Sequence, residues 1–306
     1  MRTKIIGKLL KNANKSNVFL MVGDLGYSVV EDFVAKYPER FLNAGIAEQN
    51  MTGMAAGLAS EGFKVFTYSI GNFNTLRCLE QIRNDVCYHN LDVTIISTGG
   101  GFAYGSLGYS HHALQDIATL GSLPFMTLLL PADPVEAEFC SEFIFSNAGP
   151  KYLRLGRSKD EVVHLSKDKI AEICTYNQKQ KTNYALVTVG AMLKEAVRVQ
   201  DTLGAKTKIN IYSCPVIGEN FALNARKEFS GYKYVFTLED HVVPQGFGSH
   251  MAKALELEET RVISFGLNHC SCYGCGNQDY LHKHNHLDAK SVSAGIAKII
   301  GAKKGK

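Results

Sequence analysis

The chain of 306 residues carries a formal net charge of +4, with 45% hydrophobic and 20% charged residues, the make-up of a soluble globular protein of about two domains. That mild, dispersed charge argues against nucleic acid as a partner, and the basic C-terminal GAKKGK reads as a solvated tail. No stretch reaches the roughly 18 consecutive apolar residues of a membrane span. Lysines interrupt the N-terminus too often for a signal peptide, and eight scattered cysteines fit free thiols in a reducing cytoplasm.

In chain order, the runs VFLMVG (18–23), KVFTYS (64–69), DVTIIST (92–98) and FMTLLLPA (125–132) predict strands buried on both faces. Between them lie a small-residue helix over 46–60 and a helical pattern over 74–89. Another helix follows Asp133 over 134–148, and a strand is expected before RLGR. Residues 161–182 are charged and read as a linker. A second series follows: strands at 184–190, 208–213, 232–240 and 260–266, with helices near 191–203 and 246–257. The expected architecture is α/β, two parallel-sheet domains over 1–160 and 183–306.

The stretch NAGIAEQNMTGMAAGLASEGFKVF (43–66) sets a carboxylate, Glu48, at the head of the small-residue helix. Ala47, Met51, Met54 and Leu58 share one apolar face at helical spacing, while Glu48 continues through Thr52, Ala55 and Ala59. Gly53 and Gly57 each cost about 1 kcal/mol against alanine, so another backbone is expected to come close. A charge beside such packing needs a partner. On spacing alone it is a helix-dipole carboxylate.

Several stretches together resemble the transketolase family of thiamine-diphosphate enzymes. AGIAEQNMTGMAAGLASEGFKVF is similar to the signature around that family's catalytic glutamate, and GYSHHALQD to its substrate-facing histidine motif. LPADPVEAE with KYLRLGR resembles the end of the pyrimidine-binding domain, and VFTLEDHVVPQGFGSHMAKAL the C-terminal domain. The resemblance runs through about the whole chain. It lacks the family's GDG motif, which holds the cofactor's diphosphate through Mg²⁺; GDL at 23–25 lies where the pyrimidine domain begins. The resemblance therefore implies the C-terminal subunit of a split transketolase. An N-terminal partner would hold the diphosphate and Mg²⁺, in a heterotetramer of two chains of each kind.

The resemblance implies roles for named residues. Glu48 would be the buried acid bonded to N1′ of the aminopyrimidine, activating the cofactor. Asp24 and Leu25 would touch the thiazolium region. His111 would polarise or protonate a substrate carbonyl oxygen, with His112 a neighbour of no firm role. Arg157 matches a sugar-phosphate clamp, Arg154 a structural ion pair, and Ser28 either a second phosphate contact or a helix cap. No metal site is assigned to this chain.

Three positions depart from the family. Gly71 and Asn74 stand where phenylalanines stack on the aminopyrimidine, leaving Phe73 or Tyr68 as substitutes. Leu107 replaces an aspartate that reads sugar hydroxyls, and Gly99 falls where a histidine is expected. These changes point away from the standard pentose phosphates toward an unusual sugar. His269, Cys270, Cys272 and Cys275 have zinc-ligand chemistry, but CxCxxC lacks paired CxxC spacing, so free thiols are expected. The alternatives are a 2-oxo acid dehydrogenase β subunit, a deoxyxylulose-phosphate-type synthase, and a catalytically idle scaffold of the same fold.

Overall fold

The alternation of apolar runs and helices builds two mostly parallel sheets. The computed structural model describes residues 1–14, 17–156, 161–164, 170–176, 179–204, 207–268 and 274–301. Its strands are β1 (Val18–Val22), β2 (Phe41–Asn43), β3 (Lys64–Ile70), β4 (Val93–Thr98), β5 (Thr127–Leu129), β6 (Lys151–Leu155), β7 (Cys174–Thr175), β8 (Tyr184–Thr188), β9 (Asn210–Ser213), β10 (Val216–Ile217), β11 (Tyr234–Val242) and β12 (Arg261–Leu267). The first sheet runs β10-β5-β6-β4-β3-β1-β2, parallel except for β10 against β5. The second runs β12-β11-β8-β9-β7, parallel except for β7 against β9. Every residue of β4, β6 and β11 is buried, which is why these strands read as continuous runs rather than alternating ones.

The helices are α1 (Arg2–Asn12), α2 (Glu31–Lys36), α3 (Glu48–Ser60), α4 (Leu79–Gln81), α5 (Asp116–Gly121), α6 (Pro134–Ser146), α7 (Met192–Leu203), α8 (Phe221–Phe229), α9 (Phe247–Ala254), α10 (Gln278–His284) and α11 (Ala289–Gly301). α6 begins as its sequence dictates: Pro134 occupies the first turn, and the Asp133 carboxylate accepts from the backbone N–H groups of Val135 and Glu136. The single helix expected over 74–89 is instead a 3₁₀ turn at Leu76–Cys78, the short α4 and a π-helical turn at Ile82–Cys87. α1, which the lysine-interrupted N-terminus did not announce, buries Ile5, Ile6 and Leu9 and sets Lys4 and Lys8 against Glu138 and Glu142 of α6.

The two halves interlock. β7, inside the charged 161–182 segment, extends the second sheet, and β10 returns from the second half to edge the first. A buried polar junction joins them. Arg154 Nε bonds the Asp116 carboxylate at 2.8 Å, the structural ion pair expected of it, and its Nη2 donates to the carbonyls of Ala113 and Asp240. The Asp240 carboxylate accepts from Phe102 N at 3.0 Å and meets His282 Nε2 at 2.9 Å. Burial opposes the charge on His282, but Asp240 overcomes it and holds the imidazole above its ordinary pKa.

Candidate active site

The site residues sit at the C-terminal ends of β1–β4, where open parallel sheets place ligands. Glu48 opens α3, 1% exposed. Its Oε1 accepts from Ser69 Oγ of β3 at 3.2 Å, and its Oε2 meets Arg77 Nη1 at 2.8 Å. Gly23, just past β1, lets the backbone pass over this carboxylate: a Cβ there would lie 3.1 Å from Glu48 Cγ. Behind it, burial pushes the Cys78 thiol up to about 11, an inert neutral neighbour.

α3 is oriented by the face that carries Glu48. Glu48, Met51, Thr52, Ala55, Ala56 and Ala59 are buried, whereas Met54, expected on the apolar face with Met51, is 40% exposed. The backbone expected against Gly53 and Gly57 is not supplied by the described residues, none of which lies within 4 Å of a Cβ built at either. Ile46, just before α3, is 79% exposed.

The loop after β3 explains one departure. A Cβ on Gly71 would lie 2.6 Å from Ala113 Cβ, so no aromatic ring fits there. Asn74 is buried, its amide donating to Ile96 O and accepting from Ser97 Oγ. Phe73 is half-buried, with the Arg77 guanidinium 4.7 Å over its ring centre and the His111 ring 5.2 Å away, edge to face. Tyr68, the other substitute, is 1% exposed within the core beside Gly26, with no free face.

After β4, the loop to α5 carries the histidines. His111 is half-buried, its Nδ1 3.0 Å from Ser110 Oγ, while His112 is buried with Nε2 3.0 Å from Gly105 O. His112 thus braces the loop that presents His111. A side chain on Gly99, at φ +89°, would overlap the Tyr104 ring, so Tyr104 fills that space and faces His111 at 6.5 Å between ring centres. Leu107 is 56% exposed. Tyr104 and Arg77 were not singled out in the sequence; only the neighbouring gaps at Gly71 and Gly99 signalled that something must take those places.

Asp24, at φ 55°, exchanges hydrogen bonds with Asn43 through its backbone N–H and its carboxylate, with half-buried Leu25 next to it. Ser28 is exposed, and its hydroxyl does not cap α2; instead its backbone N–H donates to Glu31 Oε1. The structure thus groups Glu48, Phe73 and His111, with Arg77 between them. Arg157, Cys270, Cys272 and His269 lie outside the described residues. Cys275 is exposed, its thiol 3.0 Å from Ser106 O. Among the described residues no helix is long and apolar enough to cross a membrane.

Residues 3–161 match the family described as the transketolase pyrimidine-binding domain. With the parallel sheets and the buried glutamate, this defines the class: the chain belongs to the transketolase family, whose members depend on thiamine diphosphate. It is similar to a putative transketolase C-terminal section of Methanocaldococcus jannaschii, 30% identical over 92% of this chain and 89% of that one. One of the subunits of an apulose-4-phosphate transketolase from Actinobacillus succinogenes is 28% identical, covering 86% of each. Among solved structures, a split-gene transketolase described as an inactive β4 tetramer superposes with a TM-score of 0.85, at 28% identity over 97% of both chains.

Proposed function

We propose that this chain is the C-terminal subunit of a two-chain transketolase, moving a two-carbon ketol unit between sugars or sugar phosphates. The observation that carries it is Glu48: a buried carboxylate held by Ser69 and Arg77 at the sheet's C-terminal edge, with Arg77 lying over Phe73 and Phe73 edge to face with His111. Thiamine diphosphate, when bound, supplies the nucleophilic thiazolium carbon. Glu48 would hold N1′ of the aminopyrimidine through a shared proton, and Phe73 would give that ring an aromatic wall. Asp24 and Leu25 would border the thiazolium. His111 hydrogen-bonds the substrate's carbonyl oxygen, and Ser28 and Arg157 serve the phosphate.

The absence of a GDG motif from this sequence supports a diphosphate and Mg²⁺ site on an N-terminal partner. The partner covers the open surface of Ile46, Gly53, Met54 and Gly57, giving a cytoplasmic heterotetramer of two chains of each kind. Gly99 in the place of a histidine, its space filled by Tyr104, and Leu107 in the place of an aspartate support a sugar other than the standard pentose phosphates. Purification of the tagged chain from its native cells with thiamine diphosphate and Mg²⁺, followed by mass spectrometry, tests this. A stoichiometric companion carrying a GDG-type site is expected; a homo-oligomer with neither companion nor cofactor would overturn it.

A further inference from the structure

Away from the sheet edge that holds Glu48, three buried side chains of different chemistry converge where His164 and β7 meet α6 and β9. Glu136 Oε1 lies 3.4 Å from His164 Nε2 and 3.5 Å from Cys174 Sγ, and the last two atoms are 4.0 Å apart. All three residues are buried. A tetrahedral Zn²⁺ with ordinary bond lengths to sulfur, nitrogen and oxygen separates its donors by about 3.4–3.6 Å. Two edges of this triangle meet that spacing and the third is slightly long.

The surroundings fit the same ion. Asp133 Oδ2 accepts from the backbone N–H groups of Val163 and His164 and sits 3.2 Å from His164 Nδ1. With a proton on Nδ1 shared with that carboxylate, the Nε2 lone pair faces Glu136 and Cys174, the carboxylate–imidazole arrangement that orients metal-binding histidines. The Cys174 thiol has one proton and three acceptors around it, Glu136 Oε1, Ser213 O and His164 Nε2. Ser213, paired with Cys174 across β7 and β9, is fully buried, and its hydroxyl lies beside the Glu136 carboxyl.

We propose that Glu136, His164 and Cys174 bind one Zn²⁺, with the Ser213 hydroxyl at the fourth position. Binding exchanges the thiol proton for the ion. The thiolate and imidazole select zinc over Mg²⁺ or Ca²⁺, so this site is distinct in chemistry from one that would hold a diphosphate-bound Mg²⁺. It is a closed, structural site. Its ligands come from α6, His164, β7 and β9, so the ion would tie the first half of the chain to the second.

The test is titration of the purified full-length chain, stripped with chelator, with Co²⁺ followed by Zn²⁺. Binding of about one Co²⁺ per chain is expected, with the sulfur-to-metal charge-transfer band and the visible bands of a tetrahedral centre, both erased by Zn²⁺. Cys174→Ser should abolish the charge-transfer band and Cys275→Ser should leave it. His164→Gln, checked by circular dichroism for folding, should weaken Zn²⁺ binding about 10-fold or more. Absence of the band in the wild-type chain, or a band that survives Cys174→Ser and disappears with Cys275→Ser, would overturn the proposal.

Discussion

The Glu48 carboxylate and the Arg77 guanidinium meet at 2.8 Å, and the same guanidinium lies over the ring of Phe73. One side chain, supplied by the irregular 3₁₀ turn after β3, therefore holds the acid and covers the aromatic ring at once. Glu48→Gln removes the exchangeable proton and keeps the shape. In the assembled enzyme it is expected to lower turnover by about 10²–10⁴-fold while assembly and thermal stability stay near wild type. Steady-state kinetics beside size-exclusion chromatography would check this, and undiminished turnover would remove Glu48 from the mechanism.

Arg77→Ala leaves the buried Glu48 carboxylate with Ser69 alone. Because Arg77 is itself half-exposed, the loss is expected to be moderate, about 1–3 kcal/mol in urea unfolding of the lone chain. In a double-mutant cycle the same substitution on the Glu48→Gln background should cost clearly less. Equal costs on both backgrounds would show the pair to be energetically idle.

Gly71→Ala tests why the family's aromatic is missing. Its new methyl would press on Ala113 at 2.6 Å, an overpacking expected to cost about 1–3 kcal/mol. Ala113→Gly in the same chain should return part of that loss. Denaturation midpoints of the single and double variants decide it.

The His282–Asp240 contact predicts a pH dependence. Burial disfavours the imidazolium, but Asp240 overcomes this, aided by Glu195 and Asp279, so the folded pKa stands above the ordinary 6.5 of a histidine. A raised folded pKa means stability fully present below about 6.5 and lost as pH climbs through the folded value. Urea midpoints should therefore fall as the pH rises above about 6.5, and His282→Gln should flatten that part of the profile.

The strands that are buried on both faces were legible because nothing but long apolar runs can fill them; β4 and β11 fall within a few residues of expectation. β7 and β10 were not, since two residues leave no periodicity to read. Glu48 and His111 could be named from motif resemblance and lie in one neighbourhood. Arg77 could not: no motif marks it, and its contacts with Glu48 and Phe73 are visible only in the folded chain. Likewise the paired gaps at Gly71 and Gly99 were visible, but only the folded chain shows that Ala113 and Tyr104 already occupy the space.

The return of Val216–Ile217 to the edge of the first sheet has a consequence for anyone cutting this protein into pieces. A fragment ending near residue 160 would keep every strand of that sheet but one, and would leave the outer side of Thr127–Leu129 with bare amides and carbonyls. Such an edge invites strands from neighbouring molecules. The fragment should therefore clump where the intact chain stays dispersed, even though its own interior is nearly whole.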